Sequence, residues 1–393
     1  MRYLVTLTLD SATLVGDRRE PSAYFLPSRD FIPGGVLRAA LARAIREDCP
    51  YETGSVLSNW VEFTDGPLCA GCSWRGLCSC FGDLRFSHLY KEGAKVAPLT
   101  SYRCKFDERH PVFDTLFKTG MPRCPECGSP AERAAGYLDS QNGLVGVNRR
   151  LLTRLEVDPF RQVAQEKQLY ALRVLSAGQT FRGSLAVPGP AVGVPSEFTL
   201  RLGAKTSVGL GRVQVRIEEA VVSNTGALQE RIRRFQEKAR GLPGLPEDKE
   251  AGESFYLSLT LLADTLPARK LRAAGERVPT ETLQRELLQS LLPDGTPLAG
   301  RIGAVIRVVA DFEVYGGYCT AERLYGRRNA SLYVSAGSVF LCRIKGFLEG
   351  ELLQSLKLLE EQGLGQRTED GYGAVSICDE FHLSTGGVTG EGK

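Results

Sequence analysis

Eleven cysteines stand in this 393-residue sequence, and seven of them fall between positions 69 and 127. Cys69-Ala70-Gly71-Cys72 and Cys124-Pro125-Glu126-Cys127-Gly128 each set two thiols on a tight turn, the form of a half-site for tetrahedral zinc. The two pairs lie about fifty residues apart and can complete one site of four thiolates. Cys104 competes as a ligand, and His110 can serve in either arrangement. Structural zinc is the expected use. An iron–sulfur cluster takes the same four thiolates and stays open. The motifs of catalytic zinc, His-x-Glu and His-Glu-x-x-His, do not occur. Cys78-x-Cys80 is a further candidate pair, with packing an alternative for Cys80, which is followed by Phe81-Gly82; the isolated Cys49, Cys319, Cys342 and Cys378 are expected to be core residues.

Histidine chemistry has little to draw on, with only His88, His110 and His382 present. A metal-free endoribonuclease needs a general base near a 2′-hydroxyl. His88, between Arg85 and Tyr90, is the best candidate for that work, although a packed histidine in a strand is the favoured reading. His382 lies near a terminus expected to fray. No Gly-Gly-Asp-Asp run or nuclease His-Asp pair appears. The residues assemble no catalytic set.

Glycine supplies the other chemical signal. Gly203-Ala204-Lys205-Thr206-Ser207-Val208-Gly209-Leu210-Gly211-Arg212-Val213 and Gly365-Gln366-Arg367-Thr368-Glu369-Asp370-Gly371-Tyr372-Gly373-Ala374-Val375 share the pattern Gly-x-basic-Thr-x-x-Gly-x-Gly-x-Val. Bare backbone amides beside one cation and one threonine hydroxyl suit a phosphate backbone. A short glycine loop clamps RNA in other modules. Nucleotide-hydrolase loops need Gly-Lys-Ser/Thr, which is missing here. A dinucleotide fingerprint follows a strand and opens a helix, the reverse of the expected order.

The elements that must carry these loops repeat as well. Ser176-Ala177-Gly178-Gln179-Thr180-Phe181 corresponds to Ser335-Ala336-Gly337-Ser338-Val339-Phe340, and the two pairs of motifs are offset by 162 and 159 residues. The chain therefore reads as a duplicated domain. Leu7-Thr8-Leu9 and Leu259-Thr260-Leu261 open the two copies, which leaves roughly ninety extra residues in the first. The clustered cysteines fall inside that excess. Copy one is expected at 1–222, with a Cys-rich metal-binding insertion at about 60–137. A helix (Leu228–Arg240) and linker occupy 223–253, copy two 254–385, and a flexible tail 386–393. Each copy is expected to run strand, helix, two strands, helix, strand, with the second helix of copy one near Pro195–Leu202. The fold class is α+β, two ferredoxin-like (RRM-like, βαββαβ) domains in tandem.

Composition sets wide bounds. With 42% hydrophobic and 24% charged residues the chain is expected to be soluble. No apolar run reaches the ~18 residues of a membrane span, and Tyr3–Leu9 alternates like a strand, not like a signal peptide. A cytoplasmic protein is expected, in which clustered cysteines hold metal and not disulfides. The net charge of +3 neither supports nor excludes an RNA partner.

The paired glycine loops resemble those of the CRISPR-associated RAMP superfamily. Ile32-Pro33-Gly34-Gly35-Val36-Leu37-Arg38-Ala39-Ala40-Leu41 is similar to the opening helix of its members. With Ser101-Tyr102-Arg103-Cys104-Lys105, Cys124-x-x-Cys127 and Ala336–Phe340, the chain most resembles the two-domain subunit of type III-D effectors, the Csx-ten family. The resemblance covers nearly the whole sequence. It implies a non-catalytic subunit that grips the 5′ tag of the CRISPR RNA and assembles with a large signalling subunit and backbone subunits, meeting target RNA indirectly. It makes Arg38, Lys205, Thr206, Arg212, Arg367 and the glycines Gly203, Gly209, Gly211, Gly371 and Gly373 candidate RNA contacts. Arg150 and Arg154, in the basic stretch Arg149–Arg154, join them as cations for phosphate. The alternative within the superfamily is a repeat-RNA processing endonuclease acting through His88. One departure matters: Glu369-Asp370 stands where the first loop has Ser207-Val208, and acids repel phosphate, which would turn the second loop toward protein.

Overall fold

Alternation in the first segment places Tyr3, Val5, Leu7 and Leu9 on the buried face of strand β1 (Arg2–Leu9). Helix α1 (Gly34–Glu47) starts after Pro33 and buries Leu37, Ala40, Leu41 and Ile45 against that face. This computed structural model describes residues 1–17, 25–51, 61–118, 120–157, 160–162, 164–189, 193–220, 225–240, 254–270, 279–319 and 326–384. The expected linker at 241–253 and the tail at 386–393 lie outside the described residues.

Copy one continues with β2 (Arg85–Phe86), the long hairpin β3 (Arg149–Val157) and β4 (Ala164–Leu175), then β5 (Thr180–Ala186), β6 (Glu197–Arg201) and β7 (Arg212–Glu219). Its main sheet has the order β6-β7-β1-β5-β2, every neighbour antiparallel. Strand β6 corrects the helix expected near Pro195–Leu202. Glu197, Thr199 and Arg201 are exposed and Leu200 is buried, a period of two that helix geometry cannot satisfy. Copy one is thus an incomplete βαββαβ unit, with an edge strand where the second helix was expected.

Helix α2 (Thr225–Arg240) follows. Copy two then runs β8 (Ser254–Leu261), α3 (Thr280–Leu291), β9 (Ile302–Val309), the hairpin β10 (Phe312–Cys319) and β11 (Gly326–Val334), β12 (Val339–Lys345), α4 (Gly350–Gln362), β13 (Val375–Ile377) and the short α5 (Glu380–Leu383). Its sheet order, β9-β12-β8-β13, is antiparallel throughout and follows the split βαβ scheme with both helices present. Helix α2, expected to accompany the linker, buries Leu228, Ile232, Phe235 and Ala239 in the second core. Those residues follow the helical period.

The cysteine-bearing insertion is pinned to copy two. Leu116 belongs to the second core, and the Phe117 ring lies 5.4 Å from that of Phe235. Arg307 donates to the carbonyls of Thr115, Leu116 and Lys118, each at 2.8 Å. His382 is fully buried, its Nδ1 2.9 Å from Asp114 Oδ2 and its Nε2 2.9 Å from Thr260 Oγ1. It is a tie between insertion and copy two, not part of a loose end. Cys342 and Cys378 are core residues as expected. Among the described residues no helix is long and apolar enough to cross a membrane.

Candidate nucleic-acid interface and metal centre

The two glycine loops are one backbone design used twice. Lys205 (φ 60°, ψ 33°) and Arg367 (φ 62°, ψ 30°) both take the left-handed conformation, each before a single 3-10 turn that ends at left-handed Gly209 or Gly371. Ala204 N–H donates to Leu14 O at 2.8 Å, and Gln366 N–H to Leu266 O at 2.9 Å. A Cβ on Gly203 would collide with the Leu14 carbonyl, on Gly211 with that of Leu202, and on Gly373 with that of Leu364. Those three glycines therefore answer to their own backbone. Only Gly209, of the five proposed as RNA contacts, has open space above its Cα.

What surrounds the loops differs completely. Loop two is pressed into copy one. A Cβ on Gly34 would meet Asp370 O at 2.6 Å, and one on Gly371 would meet His88 Nδ1 at 2.5 Å. Arg38 lies 3.8 Å from the Asp370 carboxylate and over the Phe81 ring, while Arg85 donates to Thr368 Oγ1 at 3.1 Å. Arg367 is held at home by Asp370 (3.0 Å), the Tyr333 hydroxyl (3.4 Å) and the Tyr372 ring. Of the residues expected to meet RNA, Arg38 and Gly371 lie at the junction between the copies, while Arg367 and Gly373 are held within copy two. The acidic pair Glu369-Asp370 is the reason: it supplies the carboxylate that copy one's Arg38 faces.

Loop one stays exposed from Gly203 to Gly209, apart from half-buried Thr206. Lys205 Nζ sits 5.7 Å from the ring centroid of Tyr170 on β4, within cation–π range. Tyr170 is the cross-strand partner of Arg154, and Val174 that of Arg150. Directly paired residues share a sheet face, and both arginines are exposed. Lys205 and Arg154 thus flank Tyr170, and Arg150 lies on the same face of the hairpin, two same-face cross-strand pairs further along. Arg212 is exposed at the end of the loop, its Nε 3.6 Å from Asp10 Oδ2.

His88 does not meet the needs of a base acting on an outside substrate. It is 4% exposed, accepts the Gly34 N–H on Nδ1 at 3.1 Å, and lies against Phe31 and Tyr372 with ring centroids 5.0 Å away. Burial, with the nearby charges of Arg29 and Arg367, pushes its pKa down to about 3. The ring is neutral and walled in.

The opposite face of the hairpin lines a cleft of about 820 Å³ between the copies. Phe31, Tyr137 and Tyr315 form aromatic walls, and Arg29 stacks on both Phe31 and Tyr315. Two of its three arginines are offset by carboxylates: Arg29 lies 3.7 Å from Asp17, and Arg149 is paired with Asp30. With Asp264, Asp311 and Glu313 the carboxylates outnumber the arginines, a lining that suits flat polar rings and hydroxyls better than phosphate.

The cysteines resolve differently from the expected pairing. Cys104, His110, Cys124 and Cys127 have ligand atoms all within 4.8 Å of one another; Cys69 and Cys72 are not among them. Cys104 ends the strand Ser101–Cys104, and Cys124–Cys127 turns back on itself through Gly128 N–H to Cys124 O at 2.8 Å. Cys104 Sγ is 3.6 Å from Cys127 Sγ, and Cys124 Sγ is 3.4 Å from His110 Nδ1. A tetrahedral ion at zinc–sulfur distance separates two thiolates by about 3.8 Å, close to the Cys104–Cys127 separation, and the four groups could hold a metal ion. The Phe106 amide helps hold the Cys104 thiol down, to about 6. Asp107 Oδ2 lies 3.7 Å from His110 Nε2, in the position of an outer carboxylate that orients a ligating imidazole.

No protein-family model matches the chain, and no curated protein matches it. Among solved structures it is similar to a chain of the type III-B Cmr-beta complex bound to cognate target RNA and AMPPnP, at 11% identity over 92% of this chain and 89% of that one, with a TM-score of 0.42. A chain of a type IV-B CRISPR complex matches at 14% identity, over 57% and 93% of the two chains, with a TM-score of 0.28. Cmr4 matches at 13% identity, over 56% and 100%, with a TM-score of 0.23.

Tyr170 and the cleft residues went unnoticed in the sequence because cross-strand register and the meeting of segments far apart in the chain create them. Only the tyrosine beside a basic hairpin offered a local signal.

Proposed function

We propose that this chain is a non-catalytic RNA-binding subunit of a type III CRISPR effector complex. In this reading loop one and the adjoining hairpin face hold the 5′ tag of the CRISPR RNA, while other surfaces meet the large signalling subunit and the backbone subunits. The observation that carries it is Lys205 over the Tyr170 ring, with Arg154 opposite that tyrosine and Arg150 further along the same face, beside the one loop glycine with free space. A cation at the ring and two more along the same face offer phosphate contacts and a stacking platform together, the pairing that serves single-stranded nucleic acid. The second loop keeps the fold and serves the junction. The family resemblance in the loops and opening helix supplies the identity of the RNA.

The test is filter binding of the intact chain to tag-bearing guide RNA, with Lys205→Gln and Gly209→Trp compared to the unaltered protein. Both substitutions should weaken binding; Lys205→Gln should leave the melting temperature nearly in place, while Gly209→Trp lowers it by the few degrees that left-handed strain of about 1 kcal/mol costs. Retention of full affinity by both would contradict the assignment of loop one.

A further inference from the structure

The cysteines left out of the first metal centre meet at a second place. Cys69 lies in the single turn Pro67–Gly71, Cys72 closes that turn with its N–H 3.2 Å from Cys69 O, and Cys78 sits in the short helix Arg75–Ser79. Two hydrogen bonds draw the end of α1 onto this turn. The Trp74 indole donates to Asp48 Oδ2 at 2.8 Å, and Leu68 N–H donates to the Tyr51 hydroxyl at 2.8 Å. Cys49 lies between those two anchored residues in the chain. Cys49, Cys69, Cys72 and Cys80 are all within electrostatic reach of Cys78. None is in a disulfide, and each is half-buried.

Five thiols from three segments exceed what packing alone asks of cysteine, and crossing segments held by a few hydrogen bonds are where a structural ion contributes most. Cys80 is otherwise engaged, its thiol donating to Gly76 O at 3.2 Å. We propose that Cys49, Cys69, Cys72 and Cys78 hold a second structural zinc ion as four thiolates, tying the end of α1 to the start of the insertion. This site is more open than the first, whose four ligand atoms already lie within 4.8 Å of one another. The backbone is already placed: Cys72 and Cys78 pack against the first core, so the ion would clamp the insertion to copy one while its other contacts hold copy two.

The full chain, purified without chelator, is weighed by native mass spectrometry and analysed for metals. Two zinc ions per chain are expected, with one lost in Cys69→Ser/Cys72→Ser and the other in Cys124→Ser/Cys127→Ser. One zinc per chain, unchanged by Cys69→Ser/Cys72→Ser, would overturn the proposal, as would iron with inorganic sulfide at this site. A second measurement needs no variant. In the unaltered protein Cys49, Cys69, Cys72 and Cys78 should alkylate slowly until a zinc chelator is added, then at least tenfold faster. Equal rates with and without chelator would refute the site.

Discussion

Gly371 lies so close to His88 that a Cβ there would stand 2.5 Å from Nδ1 of the ring and 2.6 Å from the backbone nitrogen. The contact joins the second glycine loop to copy one and decides what that loop is for. Its counterpart, Gly209, has nothing within 4 Å. The same turn therefore closes a junction in one copy and stays open in the other.

Stability should separate the two turns. Gly209→Ala adds only left-handed strain, about 1 kcal/mol, because φ is +87° and nothing opposes the methyl group. Gly371→Ala carries similar strain and also drives a methyl into His88, for a total of about 3 kcal/mol or more. Urea denaturation of the two variants measures the difference, and equal losses would go against the docked second loop.

The cations should separate in the same way. Arg367→Gln leaves the Asp370 carboxylate, 19% exposed, short of a partner and should cost about 2 kcal/mol of stability with little change in RNA affinity. Lys205→Gln should stay within about 0.5 kcal/mol in stability and lower the salt dependence of RNA binding by about 0.7 in log–log slope for a single strand. Melting curves and binding at several salt concentrations check the pair.

Acid should loosen the junction. His88 is neutral when folded, with its pKa pushed down to about 3, whereas an unfolded histidine titrates near 6.5. Between those values the unfolded chain binds the extra proton, so stability falls as pH drops from about 6.5 toward 3 and the loss is complete below the lower value. His88→Gln keeps an acceptor for the Gly34 N–H and removes the titration. Between pH 6 and 4 the unaltered protein should lose about 2 kcal/mol more than this variant, read from urea midpoints at each pH.

Much of this architecture was legible in the chain because repeated glycines mark backbone positions that side chains cannot share. Gly203, Gly211 and Gly373 are each pinned against a neighbouring carbonyl, and that requirement kept the motif recognisable in both copies. Glu369-Asp370 foretold the docking of loop two. Strand β6 was misread because Phe198 and Leu200 permit a short apolar helix until β7 offers five paired positions. Helix α2 was placed with the linker because its charges, on most faces, outnumber the four residues it buries in the second core. The metal centre was half legible. Spacing identified Cys124 and Cys127, but the approach of Cys104 and His110 depends on how the strand Ser101–Cys104 lies against Ala131–Arg133, which no spacing rule contains.

Loss of the first metal should have a local signature. Cys127→Ser opens the group Cys104, His110, Cys124 and Cys127, and backbone amides in Ser101–Cys104 and Ala131–Arg133 should exchange at least tenfold faster with deuterium. Amides of β8 and β12, in the core of copy two, should be unchanged. Equal protection throughout would argue that the four groups pack without an ion.

Photo-cross-linking of the RNA-loaded protein, followed by mass spectrometry of the joined peptides, reads the central assignment most directly. Cross-links should fall on Tyr170 and on the peptide spanning Gly203–Arg212, with none on Gly365–Gly373. Cross-links confined to the second loop, or to neither loop nor hairpin, would contradict it.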